Sequence, residues 1–184
     1  DDCFAALEDS WHAAVTSAAS FNQTAISDDS PWRRGVGIAS CWYGCGNTSL
    51  PNPSTMRIGI TADGRIVLHQ GAMDIGQGAN TVITQIAADA LGVPVHDVHI
   101  LGGDTDLTPD CGKTSASRQT FVSGKAAMLS GKALRDMVLR HGNVDANASI
   151  ALDGAVLTLA DAGGGTLRIA LGDMPVNDHG YVFM

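Results

Sequence analysis

Apolar residues along this chain follow helical spacing in some stretches and strand spacing in others, which predicts a mixed α and β structure. Apolar side chains three or four positions apart over residues 4–19 predict a helix. Residues 35–43 have the pattern of a strand punctuated by glycines. Residues 56–60 and 65–69 predict two short strands, and Asp63-Gly64 between them predicts a hairpin with a type I′ turn.

A second helix is expected directly after this hairpin. Asn80 is suited to be its N-cap, and apolar residues share one face as far as Leu91. Gly92 and Pro94 are typical helix stop signals. A further strand is predicted at 98–101.

A long helix is predicted from about Ser117 to Arg140, after a loop. Its expected apolar stripe consists of Val122, Ala126, Leu129, Ala133 and Met137. Gly124 and Gly131 lie one heptad apart on one side of this helix. Each glycine costs about 1 kcal/mol relative to alanine, so their presence predicts close packing of another backbone there.

The last part of the chain predicts short strands at 150–152, 155–159 and 166–171, separated by glycine-rich turns. Helices and an at least partly antiparallel sheet in this order predict the α+β fold class, a mixed sheet with packed helices. For the domain organisation we expect a helical arm at residues 1–30 and one larger domain at residues 31–184.

Composition and charge exclude several classes of function. The chain has 184 residues, a formal net charge of -8 and a pI near 4.9, and no basic cluster is available to neutralise phosphates, so we expect no nucleic-acid partner. No apolar run reaches the roughly 20 residues that span a bilayer, so no membrane span is expected. The location is left open between cytoplasm and periplasm.

Two groups of residues resemble metal sites but are better explained otherwise. Cys41 and Cys45 have the spacing of half a zinc site, and free thiols are the favoured reading because no second ligand pair follows. Asp104, Asp106 and Asp110 lack the spacing of a calcium loop and are typical of turns. We therefore assign no metal ligand and no catalytic residue.

Two glycine- and hydroxyl-rich loops are the candidate binding elements. Asp74-Ile-Gly-Gln-Gly-Ala-Asn-Thr81 precedes one predicted helix, and Lys113-Thr-Ser-Ala-Ser-Arg-Gln-Thr120 precedes another. Backbone N–H groups of such loops, at the positive end of a helix, suit an anion, and Arg118 suits a bidentate contact with an oxyanion. A pair of loops predicts one ligand with several polar or anionic groups. The alternatives are an ordinary glycine-containing strand-to-helix loop for the first and a helix cap for the second.

Five short motifs occur in order and together resemble a known family. They are Trp32-Arg-Arg-Gly-Val-Gly-Ile38, Asp74-Ile-Gly-Gln-Gly78, Leu91-Gly-Val-Pro94, Gly103-Asp-Thr-Asp106 and Ser115-Ala-Ser-Arg-Gln119. The series resembles the molybdenum-binding large subunit of the xanthine oxidase/aldehyde oxidoreductase family, the molybdenum hydroxylases, over residues 31–140. The Ser-Arg-Gln of the last motif is nearest to the aldehyde oxidoreductase branch.

The resemblance implies a fold, a cofactor and partners. The larger domain would be part of the molybdopterin cofactor-binding domain, holding molybdenum with molybdopterin, in its cytosine dinucleotide form. The implied cofactor-binding residues are Gly76, Gln77, Gly78, Ala79, Thr114, Ser115, Ala116, Ser117, Arg118 and Gln119. Other domains or subunits of the same oxidoreductase would carry iron–sulfur clusters and FAD, and the small-molecule substrate would be an aldehyde or N-heterocycle, hydroxylated with water-derived oxygen.

The chain also departs from the family pattern. The family's glutamate base lies in a Gly-Glu motif, and no Gly-Glu dipeptide occurs in this sequence. We therefore expect one piece of a cofactor-binding region, inactive in isolation. Two alternatives stay open: a non-catalytic assembly or interaction module, and a generic domain that binds phosphate ligands.

Overall fold

A computed structural model describes residues 2–47 and 50–184 of the chain, which divides into two compact units. The first unit ends at Trp42 and the second begins at Tyr43. Of the helices in the described residues, none is both long and apolar enough to cross a membrane.

The first unit contains helices α1 (Asp2–Ala5) and α2 (Glu8–Ser27). The helix predicted at 4–19 is therefore present, but it is interrupted near Leu7 and extends eight residues further. The chain then turns back, because the Asn22 side chain accepts a hydrogen bond from the Arg34 N–H at 2.7 Å and donates to the Arg34 carbonyl at 2.9 Å. The arm at residues 1–30 stays a prediction as a separate domain, and the compact unit also includes residues 31–42.

The strand predicted at 35–43 is wrong. These residues have no regular secondary structure, and no described strand pairs with them. Their apolar side chains are largely exposed, with Trp42 fully so. Strand-like composition alone does not give a strand without a partner for its backbone groups.

The second unit is built on a mixed four-stranded sheet. Strands β1 (Arg57–Thr61) and β2 (Ile66–Gln70) form the predicted antiparallel hairpin. The predicted third strand is present as β3 (Val98–Gly102), and it runs parallel to β2. β7 (Tyr181–Phe183), which was not predicted, pairs antiparallel with β1, so the order is β3-β2-β1-β7.

The turn of the hairpin differs from the expected type. Gly64 has a left-handed backbone with φ of 84°, whereas Asp63 does not. The Gly64 N–H donates to the Thr61 carbonyl at 2.9 Å, and the Thr61 N–H to the Arg65 carbonyl at 3.0 Å. The loop thus has three residues with glycine at its left-handed position, and the predicted type I′ turn, which needs two such residues, is wrong.

Helix α3 (Ala79–Leu91) connects β2 to β3, and α4 (Gly124–Gly142) follows a π-helical turn at Gln119–Ser123. Asn80 lies inside α3 rather than capping it, because the N-cap is Gly78. The buried residues of α4 are Gly124, Ala127, Gly131, Leu134, Val138 and Leu139. Of the predicted stripe, Ala126 and Met137 pack partly buried against the core, whereas Leu129, at 53% exposure, and Ala133 are exposed. The centre of the buried face therefore differs from the predicted one.

The glycines explain where α4 is buried. A Cβ at Gly131 would lie 2.8 Å from the Ala87 carbonyl oxygen of α3, and one at Gly124 would lie 2.8 Å from the Ile86 side chain. The two helices thus approach each other through these glycines, as their presence predicted.

A second, antiparallel sheet contains β4 (Ser149–Asp153), β5 (Val156–Ala160) and β6 (Thr166–Ala170), as predicted. Short 3-10 turns lie at Val95–Asp97 and Leu171–Asp173. One apolar core runs from Met56 to Phe183 and draws on both sheets and on α3 and α4. Fully buried side chains such as Ile60, Leu68 and Leu157 each contribute about 1.5–3 kcal/mol. The α+β fold class is confirmed.

Candidate functional site

The first glycine-rich loop joins β2 to α3 and is organised by the carboxylate of Asp74. Its Oδ1 accepts hydrogen bonds from the N–H groups of Gly76 at 2.9 Å and Gly78 at 3.3 Å, and its Oδ2 accepts from Asn80 N–H at 3.0 Å. Bonds from the backbone of Asn80, then Gly76 and Gly78, lower the pKa of Asp74. Gly76 and Gly78 have left-handed φ values of 101° and 81°, which only glycine adopts without strain.

This arrangement changes the expected role of the first loop. Three backbone donors at the start of α3 point to the chain's own carboxylate rather than outward. Gln77 also folds onto its loop, since its Oε1 accepts from the Ile75 N–H at 2.7 Å and its Nε2 donates to the Met73 carbonyl at 3.3 Å. The negative charge that the positive helix end favours is thus already supplied by Asp74.

The second loop lies directly against the first. The Thr114 hydroxyl donates to the Met73 carbonyl at 2.7 Å and accepts from Gln119 Nε2 at 2.9 Å. Ser115 Oγ accepts from Asn47 Nδ2 at 3.0 Å. The Met73 carbonyl, which also accepts from Gln77 Nε2, thus joins the two loops.

The two loops line one cavity of about 430 Å³. Its lining includes these predicted positions: Gln77, Ala79, Thr114, Ser115, Ala116, Ser117, Arg118 and Gln119. The remaining predicted residues, Gly76 and Gly78, flank Gln77 in the chain. Tyr43, Ile75 and Thr120 complete the lining. The two loops that the sequence singles out thus line one cleft, and the role of their residues in cofactor binding stays a prediction.

Two consecutive residues of the second loop adopt a strained backbone. Ala116 has φ of 51° and Ser117 has φ of 56°. The left-handed conformation costs a residue with a Cβ about 1–2 kcal/mol, and it persists only where the surroundings fix it. The Ala116 N–H donates to the Tyr43 hydroxyl at 2.6 Å, and the Gly46 N–H donates to the Ala116 carbonyl at 2.5 Å.

Tyr43 and its neighbours were missed by the sequence analysis. They lie some 70 residues before the loop that they contact; Tyr43 and Ala116, for example, are 73 positions apart in the sequence. Asn52 belongs to the same group, since its Nδ2 donates to the Gly46 carbonyl at 2.6 Å. No local spacing signal relates these residues to the second loop.

Arg118 is the most deeply buried charged residue of the site, at 1% exposure. Its guanidinium donates to the carbonyls of Cys111 at 2.7 Å, Lys113 at 3.0 Å and Pro53 at 2.8 Å, and its Nε donates to the Asn52 side chain. Four of its five N–H donors are thus engaged. The guanidinium is held by the chain's own oxygens, which differs from the free bidentate group that the sequence suggested.

The helix that follows begins with backbone donors still available. Within residues 2–47 and 50–184, no acceptor is bonded to the N–H groups of Gln119, Thr120 or Phe121, and no acidic residue occurs in the first turn. The orphan donors of a helix start and its positive dipole end favour oxygens that carry negative charge. The second loop therefore retains this capacity, whereas at the first loop the carboxylate of Asp74 already lies at the helix start.

The other candidate groups have structural roles. Asp104 Oδ1 accepts from the N–H groups of Asp106 and Leu107, and Asp110 Oδ1 accepts from Gly112 N–H, as in the turns expected there. Buried Cys111 donates its thiol to the Thr55 carbonyl at 3.0 Å, and the other cysteines are exposed and free. In the described part of the chain, no cluster of three or more His, Cys, Asp or Glu side chains could hold a metal ion.

Comparison with known proteins places these loops in a family. The family model described as a molybdopterin cofactor-binding domain matches residues 5–166. The probable hypoxanthine oxidase XdhD of Escherichia coli K12 is 38% identical over 111 residues, which are 60% of this chain and 12% of that protein. The putative xanthine dehydrogenase molybdenum-binding subunit XdhA of the same organism is 38% identical over 118 residues, which are 61% of this chain and 15% of that protein.

A solved structure shows the same fold over most of the chain. The aldehyde oxidoreductase of Desulfovibrio gigas superposes with a TM-score of 0.52 at 22% identity, covering 91% of this chain and 22% of that one. The chain thus spans only 12–15% of the length of the E. coli relatives. With a family model matching most of its length, the chain belongs to the molybdopterin cofactor-binding domain family of the molybdenum hydroxylases.

Proposed function

We propose that this chain holds the molybdopterin of a molybdenum hydroxylase through residues 76–79 and 114–119. The observation that supports this most is one cavity lined by both family loops. Its lining residues Gln119 and Thr120 have backbone N–H groups that no acceptor in residues 2–47 and 50–184 engages. The donors and hydroxyls present suit the carbonyl, amide and phosphate groups of such a cofactor.

The two loops would make different contacts. Asp74 already neutralises the start of α3, so a phosphate at the first loop would meet a carboxylate. The phosphate groups therefore bind at the second loop, where the N–H groups of Gln119 and Thr120 and the hydroxyls of Ser115 and Ser117 are at hand. Gln77 offers its second amide N–H to uncharged parts of the ligand, since Nε2 has two protons and donates one of them to the Met73 carbonyl.

The remaining features of the enzyme are proposed from the family. The bound cofactor supplies the two-electron oxidation that places a water-derived oxygen on an aldehyde or N-heterocycle. This chain contributes binding and orientation, and the general base comes from elsewhere, since Glu8 is its only glutamate. The cytosine dinucleotide form of the cofactor, and iron–sulfur clusters and FAD on other domains or subunits, complete the proposal.

The experiment is to replace Gln77 in the assembled enzyme and measure molybdenum and pterin per protein. Gln77→Ala removes the hydrogen bonds that the amide makes to the ligand, worth about 1–1.5 kcal/mol. It should therefore weaken cofactor retention about tenfold. The matched control is Gln85→Ala, an exposed glutamine of α3 outside the cavity. Equal cofactor content in both variants and the parent would refute the role of the first loop.

The available donors at the second helix start also support a simpler function, binding of a phosphate ligand alone. In that case a nucleotide at millimolar concentration should raise the melting temperature of the chain, following RT ln(1 + [L]/Kd). A protein that takes up no molybdenum but is stabilised by cytidine diphosphate would favour this second function. A protein that responds to neither would favour an assembly module.

A further inference from the structure

The side chain of Arg118 presents an unusual combination of burial and charge. It is 1% exposed, and no carboxylate among the described residues lies within 4.0 Å of its guanidinium. A buried charge without a counter-ion is unfavourable unless hydrogen bonds satisfy it. Here the satisfying groups are backbone carbonyls and one side-chain amide, so the guanidinium joins the segments that carry them.

Arg118 connects two segments beneath the strained loop. Its bonds to Pro53 and Asn52 fix residues 52–53, and its bonds to Cys111 and Lys113 fix residues 111–113. Asn52 extends the connection, since it donates to the Gly46 carbonyl while the Gly46 N–H donates to Ala116. The path from the guanidinium thus returns to the first of the two left-handed residues.

We propose that Arg118, together with Asn52, is a positioning residue that holds Ala116 and Ser117 in the left-handed conformation and thereby shapes the cavity. The inference rests on the proposed function only for the identity of the ligand. Arg118 acts through the loop backbone and does not bind an anion directly, because four of its five N–H donors bond to the chain itself.

Substitution of Arg118 by lysine distinguishes a positioning role from a role as an anion ligand. Arg118→Lys keeps the positive charge but cannot reproduce the planar set of four bonds. If Arg118 positions the loop, Arg118→Lys should lose most of its cofactor, as Arg118→Met does. If Arg118 were an anion ligand acting through its charge, Arg118→Lys would retain much more cofactor than Arg118→Met, and the proposal would be overturned.

A second measurement needs no cofactor. In the metal-free full chain, Asn52→Ala and Arg118→Lys should speed exchange of the hydrogen-bonded amides within residues 113–121, those of Ala116 and Arg118, while exchange in β1 and β2 stays unchanged. Arg135→Lys is the matched control, because Arg135 also donates to backbone carbonyls, of Leu91 at 3.0 Å and Ala148 at 2.7 Å, but does not line the cavity. Unchanged exchange at 113–121 in both site variants would overturn the proposal.

Relief of the backbone strain gives a readout that a generic stabilising contact would not move. Ala116→Gly and Ser117→Gly remove the cost of the left-handed conformation. Asn52→Ala should lose cofactor, and adding Ala116→Gly and Ser117→Gly to it should restore part of the cofactor content. A triple variant with no more cofactor than Asn52→Ala would count against the proposal. If the parent enzyme itself holds no molybdenum, the proposed function fails, and the exchange measurement still decides on Arg118.

Discussion

Asp74 places a negative charge at the start of α3, where a bound anion would otherwise lie. Its two oxygens accept three backbone N–H bonds within seven residues. The carboxylate is therefore both the cap of the helix and the group that fixes the conformation of the Gly-Gln-Gly turn. A ligand at this loop meets a surface whose charge has already been balanced.

Replacement of Asp74 should change stability in a pH-dependent way. The pKa of Asp74 is lowered in the fold, so its contribution is present above the unfolded pKa of about 3.9 and is lost as pH falls through the lowered folded pKa. The melting temperature of Asp74→Asn should thus lie below that of the parent at pH 7, and the difference should shrink below about pH 4.

Thermal melts at pH 7 and pH 3 measure this effect. Gln85→Ala, which changes an exposed, uncharged position of the same helix, is the control and should show no such dependence on pH. If the difference in melting temperature between Asp74→Asn and the parent were the same at pH 7 and pH 3, the carboxylate would not cap α3.

Contacts of this kind mark the limit of what the sequence predicts for the site. The two loops were recognisable because glycines and hydroxyls cluster within each of them. Asn80 was chosen as N-cap because of its type and position, yet the oxygen that caps the helix belongs to Asp74, six residues earlier. The bonds from Tyr43 and Asn52 join distant parts of the chain, which no local pattern encodes.

Helices α3 and α4 pack through glycines, which makes their contact sensitive to single methyl groups. A Cβ at Gly131 would lie 2.8 Å from the Ala87 carbonyl oxygen and 2.9 Å from the Ala90 Cβ. The backbone oxygen cannot move aside without displacing α3, which leads directly from the first loop of the site. The helix pair therefore determines how far apart the two loops lie.

Gly131→Ala should destabilise the protein despite the better helix propensity of alanine. Overpacking costs about 1–3 kcal/mol, against a propensity gain of about 1 kcal/mol, so the net loss should reach about 1 kcal/mol in urea unfolding. The control is Gly172→Ala, where a Cβ meets nothing within 4 Å and the change should stay within about 0.5 kcal/mol. Equal stability of the two variants would contradict the close approach.

Elements with strong local signals were predictable, and elements defined by distant partners were not. The β1–β2 hairpin, α3, β3 and the second sheet follow from turn residues and hydrophobic period. β7 has only three residues and depends on pairing with β1, some 120 positions earlier. The buried face of α4 was only partly predictable, because Gly124 and Gly131 indicated close packing but the apolar spacing alone did not distinguish the buried Ala127, Leu134 and Val138 from a neighbouring apolar stripe.

The apolar core lies entirely within the second unit, from Met56 to Phe183. The residues that line the cavity, from Tyr43 to Thr120, also belong to this unit. The first unit contributes two fully described helices, in which only Ala18 and Ala25 are buried. Folding of the binding site should therefore depend on residues 43–184.

The tryptophans allow the two units to be followed separately. All three tryptophans, Trp11, Trp32 and Trp42, lie in the first unit. In the full chain, tryptophan fluorescence follows unfolding of the first unit, and hydrogen exchange in β1 and β2 follows unfolding of the core. The fluorescence transition should occur at a lower urea concentration than the core transition, because few apolar side chains stabilise the first unit. A chain of residues 43–184 should keep the core transition within about 1 kcal/mol of its value in the full chain, because the apolar core lies wholly within it. Coincident transitions in the full chain, together with loss of the core transition on deletion, would show that the two units fold as one.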